Sequence, residues 1–140
     1  MHTSTNLIQA IAAIGRFLIA IIFVYSGIGK IMAPDATMAY IDAAGLPLPV
    51  VALGLAIAIE LGGGLLLALG YRTRLVAAAL AAFALVTGMA FHHAVGDPTQ
   101  LMQLLKNIAL AGGLLQVVVH GAGRYGVDGR ARGRALRTAA

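Results

Sequence analysis

Residues 50–69 read VVALGLAIAIELGGGLLLAL, an unbroken apolar run with a single ionisable residue, Glu60. A run of about 20 such residues matches the ~30 Å hydrocarbon core of a bilayer when wound as an α-helix. Lipid offers no hydrogen bonds, so only helices and closed barrels satisfy their own backbone there. A barrel strand would alternate polar and apolar residues, whereas this run is continuous, so it reads as a helix. The rest of the chain has the same character. It is 60% hydrophobic and 11% charged, against about 25% charged in soluble domains, and its mean hydropathy is +0.90. A soluble globular fold is excluded, and the expected class is an all-α bundle of four transmembrane helices.

The four spans are expected at about residues 6–32, 49–69, 73–93 and 98–120. Pro34 stops the first and Gly70 ends the second. The fourth opens at GDPTQ, where Asp97 suits the N-cap, Pro98 the first helical position and Gln100 the third position of a capping box. The first span is expected to be retained rather than cleaved as a signal peptide. Arg16 interrupts its apolar region, and no small-x-small cleavage site follows. Residues 34–49 make a long outer loop in which Met38, Tyr40 and Ile41 form a short apolar face, enough for a small interfacial helix.

Basic residues set the orientation. Arg72 and Arg74 lie between spans two and three, and Arg124, Arg130, Arg132, Arg134 and Arg137 lie in the tail. Both segments fall on one side of a four-span chain, and Asp35, Asp42 and Asp97 fall on the other. The positive-inside rule then predicts cytoplasmic termini. The expected division is a membrane domain over 1–122 and a basic cytoplasmic tail over 123–140, in a bacterial-type inner membrane. The basic pI of about 10.3 is explained by topology, so nucleic acid is not an expected partner. The bilayer is one, and a soluble redox enzyme or further copies of the chain are admissible.

An ionisable side chain inside lipid costs about 2.5–3.5 kcal/mol, so it turns inward and pairs. Glu60 lies near the middle of span two. Arg16 and Lys30 are fourteen residues apart on span one and return to nearly the same face. Lys106 and Asn107 lie on an inward stripe of span four with Gln103, Leu110, Gly113 and Val117. The expected arrangement pairs Glu60 with Arg16 on one side and Lys106 on the other, with Lys30 and His92 or His93 at the outer mouth. An ion pair that merely pins the helices together explains Glu60 almost as well, and Lys30 can snorkel to the interface. Yet three cations against one carboxylate leave room for an anionic or oxygen-rich ligand. His92 and His93 point about 100° apart on a helix, a poor joint metal site. The chain has no Cys, so no metal centre is expected.

The segments GRFLIAIIFVYSGIGKI, AIELGGGLLLALGYRTR, LLKNIALAGGLL and GAGRYGVD, in that order along nearly the whole chain, resemble the DoxX family of small four-helix membrane proteins. The matching positions are Arg16, Gly27 and Lys30; Glu60, Gly63 and Gly70; Lys106 and Asn107; and Gly121, Gly123, Arg124 and Asp128. A small residue at position 126 fits as well, and the outer loop matches least, through GLP at 45–47. The resemblance implies a membrane subunit linked to oxidoreductases. Some relatives belong to thiosulfate:quinone oxidoreductases, and others associate with a superoxide dismutase and a sulfurtransferase in oxidative-stress complexes.

No side chain here is redox-active, so electron chemistry requires a quinone, another cofactor or a partner. The leading expectation is a quinone- or sulfur-compound-binding subunit, with Glu60 and His93 moving protons and Arg16, Lys30, His92, Lys106 and Asn107 binding. The alternatives are a non-catalytic anchor for a soluble redox partner and a small transporter. Whether the chain is itself an enzyme stays open at this level.

Overall fold

A computed structural model describes residues 2–138, with side chains left out at residues 2–4, 132, 133 and 135–137, so the Arg132 and Arg137 side chains lie outside the described residues. The described chain is helical: α1 (His2–Met32), α2 (Pro34–Ala43), α3 (Pro49–Ile57), a π-helical turn (Ala58–Gly62), α4 (Gly63–Leu69), α5 (Thr73–Phe91), α6 (Pro98–His120) and α7 (Val127–Thr138). Four stretches are long and apolar enough to cross a membrane: Thr5–Met32, Pro49–Leu69, Thr73–Phe91 and Pro98–His120.

The boundaries follow local chemistry. Pro34 and Pro49 open α2 and α3 at the first turn, where a missing N–H costs nothing. Gly70 ends α4 in the left-handed region (φ 70°). There Gly70 N donates to Leu67 O and Tyr71 N to Leu66 O, the double bond of a Schellman cap. Asp97 caps α6, accepting from Thr99 N at 2.7 Å and Gln100 N at 3.2 Å.

Two expectations at this turn need correction. The third span stops at Phe91 rather than His93, because residues 93–97 reverse the chain through Val95 N to His93 O and Asp97 N to Ala94 O bonds. Gln100 does not reach back to close a capping box. Its Oε1 lies 2.8 Å from His92 Nδ1 instead, tying the end of α5 to the start of α6.

The core is thin and rich in alanine: Ala20, Ala77, Ala81, Ala84 and Ala111 are buried with Phe23, Leu67, Leu80 and Leu114. Large side chains such as Leu7, Ile11, Phe17, Leu55 and Met89 face outward, as a lipid-embedded bundle requires. Close backbone approach replaces interdigitating bulk. A Cβ at Gly64 would come within 2.9 Å of Val24 Cγ2, and one at Gly27 within 2.9 Å of Leu61 N, so α1 lies directly on the second span.

At the end of the bundle carrying both termini, the segment after α6 folds back as a clasp. The Arg16 guanidinium, buried in α1, donates to Ala122 O and, at 3.5 Å, to Ala68 O. It thereby serves carbonyls left free where helices end. The Asp128 carboxylate accepts from Arg72 N at 2.9 Å, Thr73 N at 2.8 Å and Thr73 Oγ1 at 2.8 Å. It caps α5 from fifty-odd residues away, where α5 has no side-chain cap of its own. The tail expected to be a simple topology signal therefore contains a docked helix, α7.

Burial tends to raise the Asp128 carboxyl, but the Thr73 and Arg72 hydrogen bonds and the Arg16 charge outweigh it and hold it below the usual carboxylate range. A depressed folded pKa gives stability that is complete above the unfolded value, roughly 3.9, and lost as pH falls through the lower folded value. Acid titration of thermal stability in detergent is expected to show this loss, and Asp128→Asn to remove it. An unchanged acid profile in that variant would end the clasp interpretation.

Candidate functional site

The membrane-embedded charges gather at the other end of the bundle. Span two abandons regular α-helix at residues 58–62, and the wider π turn has Glu60 at its centre. Such turns recur at functional sites because they re-aim one side chain. Glu60 is 7% exposed and looks onto α1. Lys30 Nζ lies 2.7 Å from Glu60 Oε2 and 2.9 Å from Ser26 Oγ, while Ser26 Oγ donates to Glu60 Oε1 at 3.1 Å. Three groups thus close a ring. Ser26 and Lys30 are one turn apart on α1, so they share a face.

The partner of Glu60 is therefore Lys30, not Arg16. Arg16 is drawn to helix-end carbonyls near the opposite end of the second span, about 12 Å of helix rise from Glu60 at 1.5 Å per residue between positions 60 and 68. Arg16, expected among the binding residues, lies outside the lining of this site and within the clasp.

Lys30 and Glu60 line a cavity of about 800 Å³ shared with His92, Lys106 and Asn107. Lys106 is exposed and donates to Gln103 Oε1 one turn back rather than meeting Glu60. Asn107 lies against α5, where a Cβ on Gly88 would meet its Cβ at 3.0 Å. Phe83, Phe91 and Ile41 supply apolar wall. The interfacial helix α2 covers part of the cavity: Tyr40 stacks on Phe91 with centroids 5.1 Å apart and planes 16° from parallel, and Ile41 is buried. His93 is not part of this lining. It falls in the reversing turn, so the histidine at the cavity is His92.

Sequence reading missed Ser26, Thr87 and the contribution of α2. Ser26 was within reach, since it precedes Lys30 by four residues. The π turn left no signal in an Ala/Gly/Leu-rich run. Among the described residues, no group of His, Asp and Glu is placed to hold a metal ion.

Lys30 is paired with Glu60, and among the described residues Lys106 has no carboxylate partner. The cavity therefore favours an oxygen-rich guest, with donors from Lys106 and Asn107 and with apolar surface beside them. This is the usual make-up of a small-molecule site.

The family model described as DoxX matches residues 11–93. The chain belongs to the DoxX family. It is 35% identical over 118 residues to the inner membrane protein YqjF of Escherichia coli (strain K12), covering 82% of this chain and 87% of that protein. It is 30% identical over 122 residues to the inner membrane protein YphA of the same organism, covering 84% and 87%. No solved structure matches significantly. The matched DoxX region contains both the Ser26–Lys30–Glu60 ring and the Arg16 end of the clasp. With four membrane-crossing helices and inner-membrane relatives, this DoxX protein is a multi-pass inner membrane protein.

Proposed function

We propose that the protein is the membrane subunit of an oxidoreductase system and that the Lys30–Glu60 cavity receives the headgroup of a quinone or a sulfur-compound substrate. One observation carries this reading: Lys30, His92, Lys106 and Asn107 line one largely apolar cavity together with a single carboxylate, Glu60. The fit to a quinone is chemical. Its carbonyl oxygens need donors, its ring needs flat apolar wall such as Phe83 and Phe91, and its tail needs lipid nearby.

A bound quinone would supply electron acceptance, which no side chain of this protein offers. Lys106 and Asn107 would hold and orient the headgroup. Glu60, tied to Ser26 and Lys30, would hold or release a proton at Oε1. The proton-carrying part expected of His93 passes to His92, whose Nδ1 is fixed by Gln100.

Organic extraction of the protein purified from its native membrane tests the proposal. A stoichiometric quinone is the expected result, and Lys106→Met is expected to lower that occupancy about tenfold while leaving thermal stability nearly unchanged, because its methylenes still pack. Clean protein that copurifies with a soluble enzyme would instead favour the second reading, a non-catalytic anchor. Its support is α7, a docked helix with exposed Arg130 and Arg134 beyond the bundle.

The proposed orientation is N-in/C-in, from the arginines at the clasp end. In this Cys-free chain, Ala43→Cys is expected to react with an impermeant thiol reagent added to intact spheroplasts, and Thr138→Cys is not. The reverse pattern would invert the topology.

A further inference from the structure

The clasp leaves a second concavity, far from the Lys30–Glu60 cavity and lying where α5 begins and α6 ends. It encloses about 690 Å³, and Arg72, Arg74, Arg124 and His120 contribute to its lining together with one acidic residue, Asp128. The carboxylate offsets one of the three arginine charges and leaves the groove net positive. Both its oxygens are engaged by the Arg72 and Thr73 backbone and the Thr73 hydroxyl.

Among the described residues, the Arg72 and Arg74 guanidiniums have no hydrogen-bond or ion-pair partner, whereas Arg124 Nη1 is held by Asn6 Oδ1 at 2.8 Å and its backbone N by Gln9 Oε1 at 3.0 Å. A Cβ at Gly121 would lie 3.3 Å from Arg74 Nε, so the end of α6 shapes the same wall. Three arginines lining one concavity offer a site for phosphate oxygens, which Arg binds through paired N–H groups.

Position decides which phosphate. Leu75, which lines the groove, is 65% exposed; Val119, beside His120 in α6, is 67% exposed, and Tyr71 and Tyr125, the chain neighbours of Arg72 and Arg124, are also exposed. Aromatic rings at this level mark the headgroup region, and bare aliphatic surface below it accommodates acyl chains. A soluble phosphate has no use for that skirt. We propose that the groove formed by Arg72, Arg74 and Arg124 binds the phosphate of an anionic membrane phospholipid, independently of whatever occupies the Lys30–Glu60 cavity.

Native mass spectrometry of the full chain from micelles containing equal amounts of phosphatidylglycerol and phosphatidylcholine tests this. The intact protein is expected to retain phosphatidylglycerol selectively. Each basic residue near a lipid surface contributes roughly a fivefold preference, so Arg72→Gln/Arg74→Gln is expected to lower retention by about tenfold or more. Arg74→Gln alone gives an intermediate loss and serves if the double variant does not fold. Arg130→Gln/Arg134→Gln, on α7 outside the groove lining, is expected to leave retention within about twofold.

Equal retention of both lipids by the wild type, or loss only in the α7 variant, would overturn the proposal. Displacement of phosphatidylglycerol by millimolar inorganic phosphate would overturn the lipid assignment in favour of a soluble phosphate ligand.

Discussion

Glu60→Ala is expected to cost stability near the lower end of the ~3–5 kcal/mol seen when one partner of a buried ion pair is removed. The substitution leaves Lys30 Nζ without its carboxylate and Ser26 Oγ without its acceptor. The lower end applies because the Lys30 side chain is 23% exposed and can swing its ammonium toward the cavity mouth. Glu60→Gln keeps an oxygen for Ser26 and should lose well under half as much. Replacing both members, Glu60→Leu with Lys30→Leu, should recover most of the stability, since apolar substitutes for a whole buried pair are often neutral or better. The double variant should nevertheless lose headgroup binding, which separates the structural part of the ring from its functional part. Thermal unfolding in detergent, read beside ligand occupancy, checks all four proteins. Wild-type stability in Glu60→Ala would show that the pair contributes nothing to the fold.

Gly27→Val is expected to have a comparable effect by a different route. A Cβ at position 27 would lie 2.9 Å from both Leu61 N and Leu61 Cβ, closer than real contacts allow. The backbone nitrogen cannot yield as a side chain would, so α1 must move off the π turn. Overpacking of this kind costs about 1–3 kcal/mol, and the branched side chain of Val should exceed Ala. Ser26 and Lys30 flank Gly27 on the same helix, so the displacement should also open the ring around Glu60 and weaken headgroup binding. Gly15→Ala is the control. Nothing lies within 4 Å of a Cβ there, and Ala is the better helix former by roughly 1 kcal/mol. Gly15→Ala should therefore leave stability unchanged or raised. If Gly27→Val unfolds at the temperature of the wild type, close approach at Leu61 is not what joins α1 to the second span.

Much of the architecture was legible in the chain itself. Unbroken apolar runs in a solvent without hydrogen bonds leave the backbone no alternative to helices, and Pro34, Pro49, Gly70 and the Asp97–Pro98 pair mark their ends by local steric and capping rules. The cost of charge in lipid likewise favoured turning Glu60 inward, and it is buried, whereas Lys106 is exposed and bonds to Gln103 instead of Glu60. Which cation would meet Glu60 was not legible. Helical periodicity put Arg16 and Lys30 on one face, and only the tertiary structure chose between them. The C-terminal segment folds back to offer Ala122 O, which together with Ala68 O and the Asp128 charge claims Arg16, and the π turn carries Glu60 toward Ser26 and Lys30. His92 rather than His93 reaches the cavity because the chain reverses just beyond Phe91, and α2 covers the cavity through a Tyr40–Phe91 stack between residues some fifty positions apart. The Arg16 and Tyr40–Phe91 contacts are long-range pairings between partners that no local periodicity connects, so the sequence determined the bundle and the carboxylate within it, while the folded chain decided which charge meets which.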